Sequence, residues 1–365
     1  MQPTTAAERV FWIALASLPM IGARRFYRIL DHFGSAKAAW SAPTQAWDGV
    51  AGVSLMRWLP TLKERHDDRI EQLREKLYRS SVQALTMIDS SYPEWLRQIP
   101  DPPPVLYIRG ELRPEDSKAI AVVGTRRPSA YGERVCRTLV KELTLRGCCI
   151  VSGLARGIDG IAHQVALENG GRTIAVMASG VDIIYPSEHQ RLAEAITRQG
   201  ALVSEYPPGL PPEPGLFPAR NRVIAGLSQG VLVIEAGERS GALITTDQAL
   251  EQGREVFAVP GPITQKQNAG TNRLIQQGAK LVMNVNDILA DEQGCLPFGD
   301  TAVSVPPVLS STEQQVLGCL NWDPQGADEI IRLTGLPERT VATTLTLLEL
   351  KNMIRTLPGE RFVIA

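Results

Sequence analysis

Arginine recurs in glycine-bearing segments at four places in this chain: VVGTRRPSAYG (122–132), SGLARGIDGIAH (152–163), FPARNRVIAG (217–226) and EAGERSGALIT (235–245). Glycine lets main-chain amides close on a phosphate, a helix N-terminus presents partial positive charge, and a guanidinium fork matches phosphate oxygens. One or two such seats serve a mononucleotide; four suit a strand with successive phosphates. Phe217 adds a ring on which an unpaired base can stack. The candidate contacts are therefore Gly124, Thr125 and Arg126; Gly153, Arg156 and Gly157; Phe217, Arg220, Asn221 and Arg222; and Arg239, Ser240 and Gly241. Arg126, Arg156 and Arg222 lie beside glycine turns at strand ends, where an unpaired cation costs stability, so each calls for an anion. Arg127, Arg134 and Arg137 read as solvated, or as paired with nearby acids.

These turns need a scaffold that brings them to one edge. Apolar runs at Ala119–Val123, Cys149–Ser152, Thr173–Met177, Ala201–Ser204, Gly230–Ile234 and Glu255–Val259 are each followed by a loop and a helical stretch. That alternation predicts a doubly wound parallel α/β sheet of Rossmann-like type, with its ligand beyond the carboxyl ends of the strands.

Other chemistries lack their signatures. Asp159 and His163 stand four apart on a predicted helix, but no third ligand has telling spacing, so no metal is expected. The chain has no Gly-Lys pair and hence no P-loop, and no G-x-S-x-G elbow. Glu205 and Glu235 end strands on the ligand edge, where they read as carboxylates that hold arginines in place. The five cysteines, Cys136, Cys148, Cys149, Cys295 and Cys319, are odd in number without a C-x-x-C pair, and read as buried thiols. Neither a catalytic residue nor a cofactor is expected.

With 38 basic and 39 acidic residues and a formal charge of −1, any polyanion must be gripped by a local cluster of bases. No run of eighteen apolar residues occurs, and the N-terminus carries Glu8 without a basic lead, which predicts a cytoplasmic protein with no membrane insertion.

Three segments are expected. Residues 1–88 read as short helices broken by Pro19, Gly22, Gly34 and Gly52. LPMIGARRFYRIL and VAGVSLMRWL have a helix-hairpin-helix-like look there, set against a plain helical domain whose glycines allow tight turns. The proline-dense stretch from Ser90 to Leu112 marks a junction, and residues 89–293 hold the Rossmann-like domain. Residues 308–365 read as three helices and a hairpin around Pro358 and Gly359, a winged helix that serves either duplex DNA or protein contact.

Taken in order, VVGTRRPSAYG, VSGLARGIDGIAH, LVSEYPPG, FPARNRVIAGLS, SGALITTDQALEQGREVFAVPG and GTNRLIQQGAKLV, after the lead-in PPPVLYIRG, closely resemble the DNA-processing protein A (DprA/Smf) family. The resemblance implies a sterile-alpha-motif-like helical domain ahead of the Rossmann-like one, and a non-enzymatic role: binding and shielding single-stranded DNA during natural transformation and loading RecA recombinase onto it. The family's GSR turn corresponds to Gly124, Thr125 and Arg126, its GLAKGID lysine to Arg156, its ARNR arginine to Arg220 or Arg222, and its basic residue before SG to Arg239. By the same resemblance Asn272, Leu274, Ile275 and Leu281 lie on a homodimer surface that overlaps the RecA site. Two other classes compete. Nucleoside-monophosphate phosphoribohydrolases share a related fold but carry P-G-G-x-G-T-x-x-E where this chain has EAGERSGALIT. A duplex-DNA regulator acting through the winged helix leaves the arginine loops unexplained.

Overall fold

Ala119, Ala121 and Val123 enter one hydrophobic core while Ile120 and Val122, alternating with them, enter another. A strand covered on both faces has no polar alternate, which is why the central strands read as unbroken apolar runs. Full burial of a side chain such as Ile120 or Val122 contributes roughly 1.5–3 kcal/mol.

The computed structural model describes residues 6–289, 309–320, 325–351, 353–357 and 361–364, which fall within two units, residues 1–294 and 295–365. The first unit begins with helices α1 (Ala6–Ala16), α2 (Ala23–Phe33), α3 (Ala36–Ser41), α4 (Leu55–Lys63) and α5 (Asp67–Arg79). Trp12, Phe26, Trp40, Trp47 and Trp58 form their shared core, with Trp12 meeting Phe26 and Trp47 meeting Trp58 edge to face. There follow β1 (Gln83–Thr86), α6 (Glu94–Arg97), β2 (Val105–Gly110), β3 (Ala119–Val123), α7 (Ala130–Leu145), β4 (Cys149–Ser152), α8 (Ile158–Glu168), β5 (Thr173–Val176), α9 (Gln190–Gln199) and β6 (Ala201–Ser204). The unit continues with α10 (Leu216–Gly226), β7 (Gly230–Val233), α11 (Gly241–Glu251), β8 (Glu255–Ala258), α12 (Ala269–Gln276), β9 (Lys280–Leu281) and α13 (Asn286–Leu289).

One nine-stranded sheet runs in the order β1-β2-β6-β5-β4-β3-β7-β8-β9. From β6 to β9 all neighbours are parallel, whereas β2 joins β6, and β1 joins β2, antiparallel. The winding reverses between β3 and β7, paired in the register Ile120↔Gly230 to Val123↔Val233. Helices α7, α8 and α13 cover one face there, and α10, α11 and α12 the other. The sheet is thus the expected Rossmann-like one, extended by a two-stranded antiparallel flap. The proline-dense stretch after Ser90 contributes α6 and β2 to this body; prolines at 102–104 stop a helix but stand before the first strand residue, where the ladder needs no amide.

The second unit contains α14 (Ser311–Cys319), β10 (Gln325–Gly326), α15 (Ala327–Thr334), α16 (Glu338–Leu350), β11 (Ile354–Leu357) and β12 (Arg361–Ile364). Ser310 and Glu313 form a capping box on α14, and Val316, Ile330, Val341 and Leu348 pack between the helices. With the sheet order β10-β12-β11 this is a winged helix. Lys351 donates to Glu313 at 2.6 Å, while Arg339 is exposed on α16. Pro358 and Gly359, which the sequence places in the hairpin turn, lie outside the described residues.

Among the described residues no helix is long and apolar enough to cross a membrane. Cys136, Cys148 and Cys149 are buried thiols, Cys319 is half-buried, and Cys295 is outside the described residues.

Candidate nucleic-acid interface

The reversal between β3 and β7 leaves a crevice beyond their carboxyl ends, where doubly wound sheets seat ligands. Here it is a cleft of about 830 Å³, lined by Gly124, Thr125 and Arg126 after β3, by Phe217, Arg220 and Asn221 on α10, and by Arg239, Ser240 and Gly241 after β7. Ala155, Asp159 and Tyr185 also line it. Gly153, Arg156, Gly157 and Arg222 do not line it. A second cleft of about 810 Å³ lies between α1, α5 and β1, but its charges are spent internally: Arg9 pairs with Asp89 and Arg74 with Glu71.

The turn after β3 is held by backbone. The Thr125 amide donates to the Glu235 carbonyl at 2.7 Å, the Ile158 amide to the Thr125 carbonyl at 3.2 Å, and the Arg127 amide to the Thr125 hydroxyl at 3.2 Å. This fixes where Arg126 starts while leaving its side chain exposed. Among the described residues Arg126, Arg127 and Arg239 have no carboxylate partner. The Arg126 guanidinium stands 5.9 Å from the centre of the Phe217 ring, and Arg220 stands 6.0 Å from it. Ser240 caps α11 by accepting from the Ala242 amide, and Asn221 reaches the Gly241 carbonyl at 3.4 Å.

The loop after β4 is built differently from the phosphate seat its glycines suggest. A Cβ on Gly153 would lie 2.6 Å from the Arg220 guanidinium, and one on Gly157, whose φ is +76°, would lie 2.7 Å from the Arg126 carbonyl carbon. Both glycines admit close packing between loops. Between them Leu154 holds φ +55°, a conformation that costs on the order of 1 kcal/mol for a side-chain-bearing residue. It is retained because the Leu154 side chain is fully buried and its carbonyl meets His189 Nδ1 at 2.9 Å. Asp159 folds this loop onto α8, accepting from the amides of Gly153 and Ala155 at 3.1 and 3.4 Å; burial pushes its carboxyl up. His163, the other half of the pair weighed for a metal, is fully buried against Thr173 at 2.7 Å.

Two arginines, Arg222 and Arg156, depart from the expectation of unpaired cations, and a third, Arg220, turns inward. Arg222 is buried between Glu205, to which its guanidinium donates, and Asp101, whose carbonyl it reaches at 2.7 Å. Its partners lie 17 and 121 residues away in sequence, so the local reading as an exposed cation is corrected. Arg156 is exposed but forked onto Glu188, Nε to Oε1 at 2.5 Å and Nη2 to Oε2 at 2.7 Å. Arg220 donates to the carbonyls of Gly153 (2.7 Å) and Val176, pinning the ends of β4 and β5 together. Burial pushes its pKa down to about 10, so it stays charged at neutral pH. Glu205 does hold an arginine, as expected; Glu235 instead holds Ser129, accepting from its hydroxyl at 2.6 Å and its amide at 2.8 Å.

Sequence reasoning passed over Tyr185. Its signal was an exposed aromatic in the loop after a strand carboxyl end, GVDIIYPSEH (180–189). Its ring lies 5.7 Å from that of Phe217 at an interplanar angle of 65°.

Asn272 clamps a loop, donating to the Gly261 carbonyl at 2.9 Å and accepting from its amide at 3.1 Å. Leu274 is buried in the core and Ile275 half-buried against it. Leu281 is 39% exposed on β9, the outer strand of the sheet.

A sheet wound this way, with cations and a ring gathered at the point of reversal, defines a Rossmann-like α/β protein with a cationic crevice, here joined to a winged helix. Residues 83–293 match the DNA recombination-mediator protein A family, and residues 301–360 match the DprA winged helix domain. The chain belongs to the DNA recombination-mediator protein A (DprA/Smf) family. It is 35% identical to Protein Smf of Synechocystis over 98% of both chains. The X-ray structure of DNA processing protein A from Streptococcus pneumoniae superposes with a TM-score of 0.67 at 34% identity, covering 80% of this chain and 99% of that one. DNA processing protein A from Helicobacter pylori, studied for its single-stranded DNA binding mode, gives 0.53 at 31% identity, covering 59% of this chain and 98% of that one.

Proposed function

We propose that this protein binds single-stranded DNA along the crevice, shields it, and hands it to RecA recombinase, acting by grip and release rather than by bond chemistry. The observation that carries the reading is the division of charge at the cleft. Arg126 and Arg239 on its wall, and Arg127 beside it, have no acidic partner among the described residues. Of the carboxylates nearby, Asp159 and Glu235 are engaged by amides and a hydroxyl, and the exposed Glu238 beside Arg239 is not among the residues that line the cleft. Open cations beside Phe217 suit phosphates flanked by unpaired bases. Family membership and the ligand studied with the Helicobacter pylori relative support the same ligand class. Two protomers join along the β9 side, where Leu281 is exposed and Ile275 half-buried, and RecA docks on an overlapping surface.

Binding of the full chain to a labelled single strand across a salt series tests the reading. Neutralising three phosphates gives a slope of log affinity against log salt of about −2. Salt-insensitive binding, or preference for a duplex, overturns it; ribose 5-phosphate release from nucleotides would favour the phosphoribohydrolase alternative. Faster growth of RecA filaments on a strand already coated by another single-strand-binding protein tests the loading step.

A further inference from the structure

We propose that Tyr185 is a nucleobase platform: its ring carries one base of the bound strand, with Phe217 as the side wall of the slot. The inference rests on the single-strand reading above and assigns a base contact to a residue outside the arginine loops. Phe217 is the ring the sequence offers for stacking, but its surroundings are crowded. Two guanidinium groups, from Arg126 and Arg220, stand within 6.0 Å of its centre, Tyr185 abuts it nearly edge to face, and the ring is only half exposed. Tyr185 is 48% exposed and borders the same cleft. A planar base entering beside Arg126 finds its open aromatic surface on Tyr185.

That ring is also held in place before any ligand arrives. The Ser179 hydroxyl donates to the Ile183 carbonyl at 2.7 Å, Pro186 is buried, the Arg156–Glu188 fork ties the following turn to the loop after β4, and His189 meets the Leu154 carbonyl. A platform fixed from both sides loses little freedom when a base settles on it, so more of the stacking gain appears as affinity. Arg156 therefore acts here as a buttress of the aromatic loop.

Stacking and phosphate contacts separate experimentally, because an abasic strand keeps every phosphate and offers no ring. The test compares the full-length parent, Tyr185→Ala and Tyr185→Phe on oligo-dT and on an abasic oligonucleotide of equal length. Tyr185→Ala is expected to bind oligo-dT about tenfold more weakly with an unchanged salt slope, and to bind the abasic strand like the parent. Tyr185→Phe retains parental binding to both. Equal losses on the two strands, no loss on either, or a loss in Tyr185→Phe matching that of Tyr185→Ala overturns the platform. A parent that binds neither strand sinks the single-strand reading itself, a different result from a parent that binds both equally, which removes only the base contact.

Discussion

Glu235 accepts hydrogen bonds from both the hydroxyl and the amide of Ser129, at 2.6 and 2.8 Å, and so fills the N-terminus of α7 with the protein's own carboxylate. In a doubly wound sheet this is a favoured seat for a nucleotide phosphate. A phosphate arriving there meets a carboxylate already satisfied, so in the proposed single-strand reading external phosphates fall to the side chains of Arg126, Arg127 and Arg239. The arrangement also explains Gly132: a Cβ at that position would overlap the Glu235 carboxylate.

Gly132→Ala therefore reverses the usual sign. Within a helix this change gains up to about 1 kcal/mol. Here the methyl meets a fully buried carboxylate, and overpacking of that kind costs about 1–3 kcal/mol. Urea unfolding should show Gly132→Ala destabilising in the parent background and neutral to stabilising when Glu235→Ala is also present. Equal effects in the two backgrounds would show that the carboxylate is not what the methyl meets.

Arg126→Ala should weaken single-strand binding far more than Arg134→Ala. Arg126 lines the cleft, whereas Arg134 is exposed on α7 outside it. Losing one charge-assisted contact costs about 1.5–3 kcal/mol, or roughly 10- to 150-fold in affinity. Titrations of both variants at one salt concentration check this; similar losses would mean that diffuse charge governs binding.

Glu188→Gln tests whether Arg156 is a held-back cation. The fork keeps Glu188 below the ordinary carboxylate range because Arg156 hydrogen-bonds its ionised form. Replacing it with a neutral amide leaves the guanidinium charge uncompensated while loosening the turn after Tyr185, so the salt slope should steepen by about 0.7, the increment for one further phosphate on a single strand, whichever way the affinity itself moves. An unchanged slope, with or without a change in affinity, would leave Arg156 as a structural buttress alone.

His163 makes the fold acid-sensitive above the range where carboxylates titrate. Thr173 donates its hydroxyl to the Ile150 carbonyl at 2.7 Å, so it accepts from His163 Nδ1, and Nε2 is buried without a partner. A proton on Nε2 would place a charge in a fully buried site, and burial pushes the pKa from 6.5 down to about 3. Between those values the unfolded chain binds a proton that the folded chain refuses, so stability falls as pH falls, by up to about 1.4 kcal/mol per pH unit. Urea midpoints at pH 7.5 and 5.5 should diverge more for the parent than for His163→Gln. Parallel losses would remove His163 as the cause.

The six central strands were legible because burial on both faces leaves runs of apolar residues with polar ones only at their ends, and their predicted ends differ from the observed ones by no more than one residue. The flap strands were not: Gln83–Thr86 alternates with polar residues at its ends, and Val105–Gly110 follows three prolines. At the site, sequence position placed Arg126, Phe217 and Arg239 on one edge, since strand ends converge whatever the loops do. It misjudged Arg222 because the Glu205 carboxylate and the Asp101 carbonyl, 17 and 121 residues away, reach it only through the fold. It gave Glu235 the wrong partner for the same reason, Ser129 being 106 residues away. Gly153 and Gly157 were visible as glycines, but whether a missing Cβ makes room for a ligand or for another loop is a three-dimensional question.

Assembly can be tested at β9 with less damage to the core than at neighbouring positions. Leu274 is buried and Ile275 packs partly against the same cluster, so a charge at either position perturbs the fold as well as any interface. Leu281 is 39% exposed on the outermost strand, and Met283 and Ile263 are 77% and 93% exposed. Leu281→Glu should leave the urea midpoint within about 0.5 kcal/mol of the parent, as for a surface substitution. If two protomers meet on this side, the variant runs as a monomer in light scattering. It should then bind an oligonucleotide long enough for one cleft like the parent and lose affinity on strands that span two, because the second contact no longer benefits from a high effective concentration. A folded Leu281→Glu that stays dimeric, or that loses short and long strands alike, places the interface elsewhere.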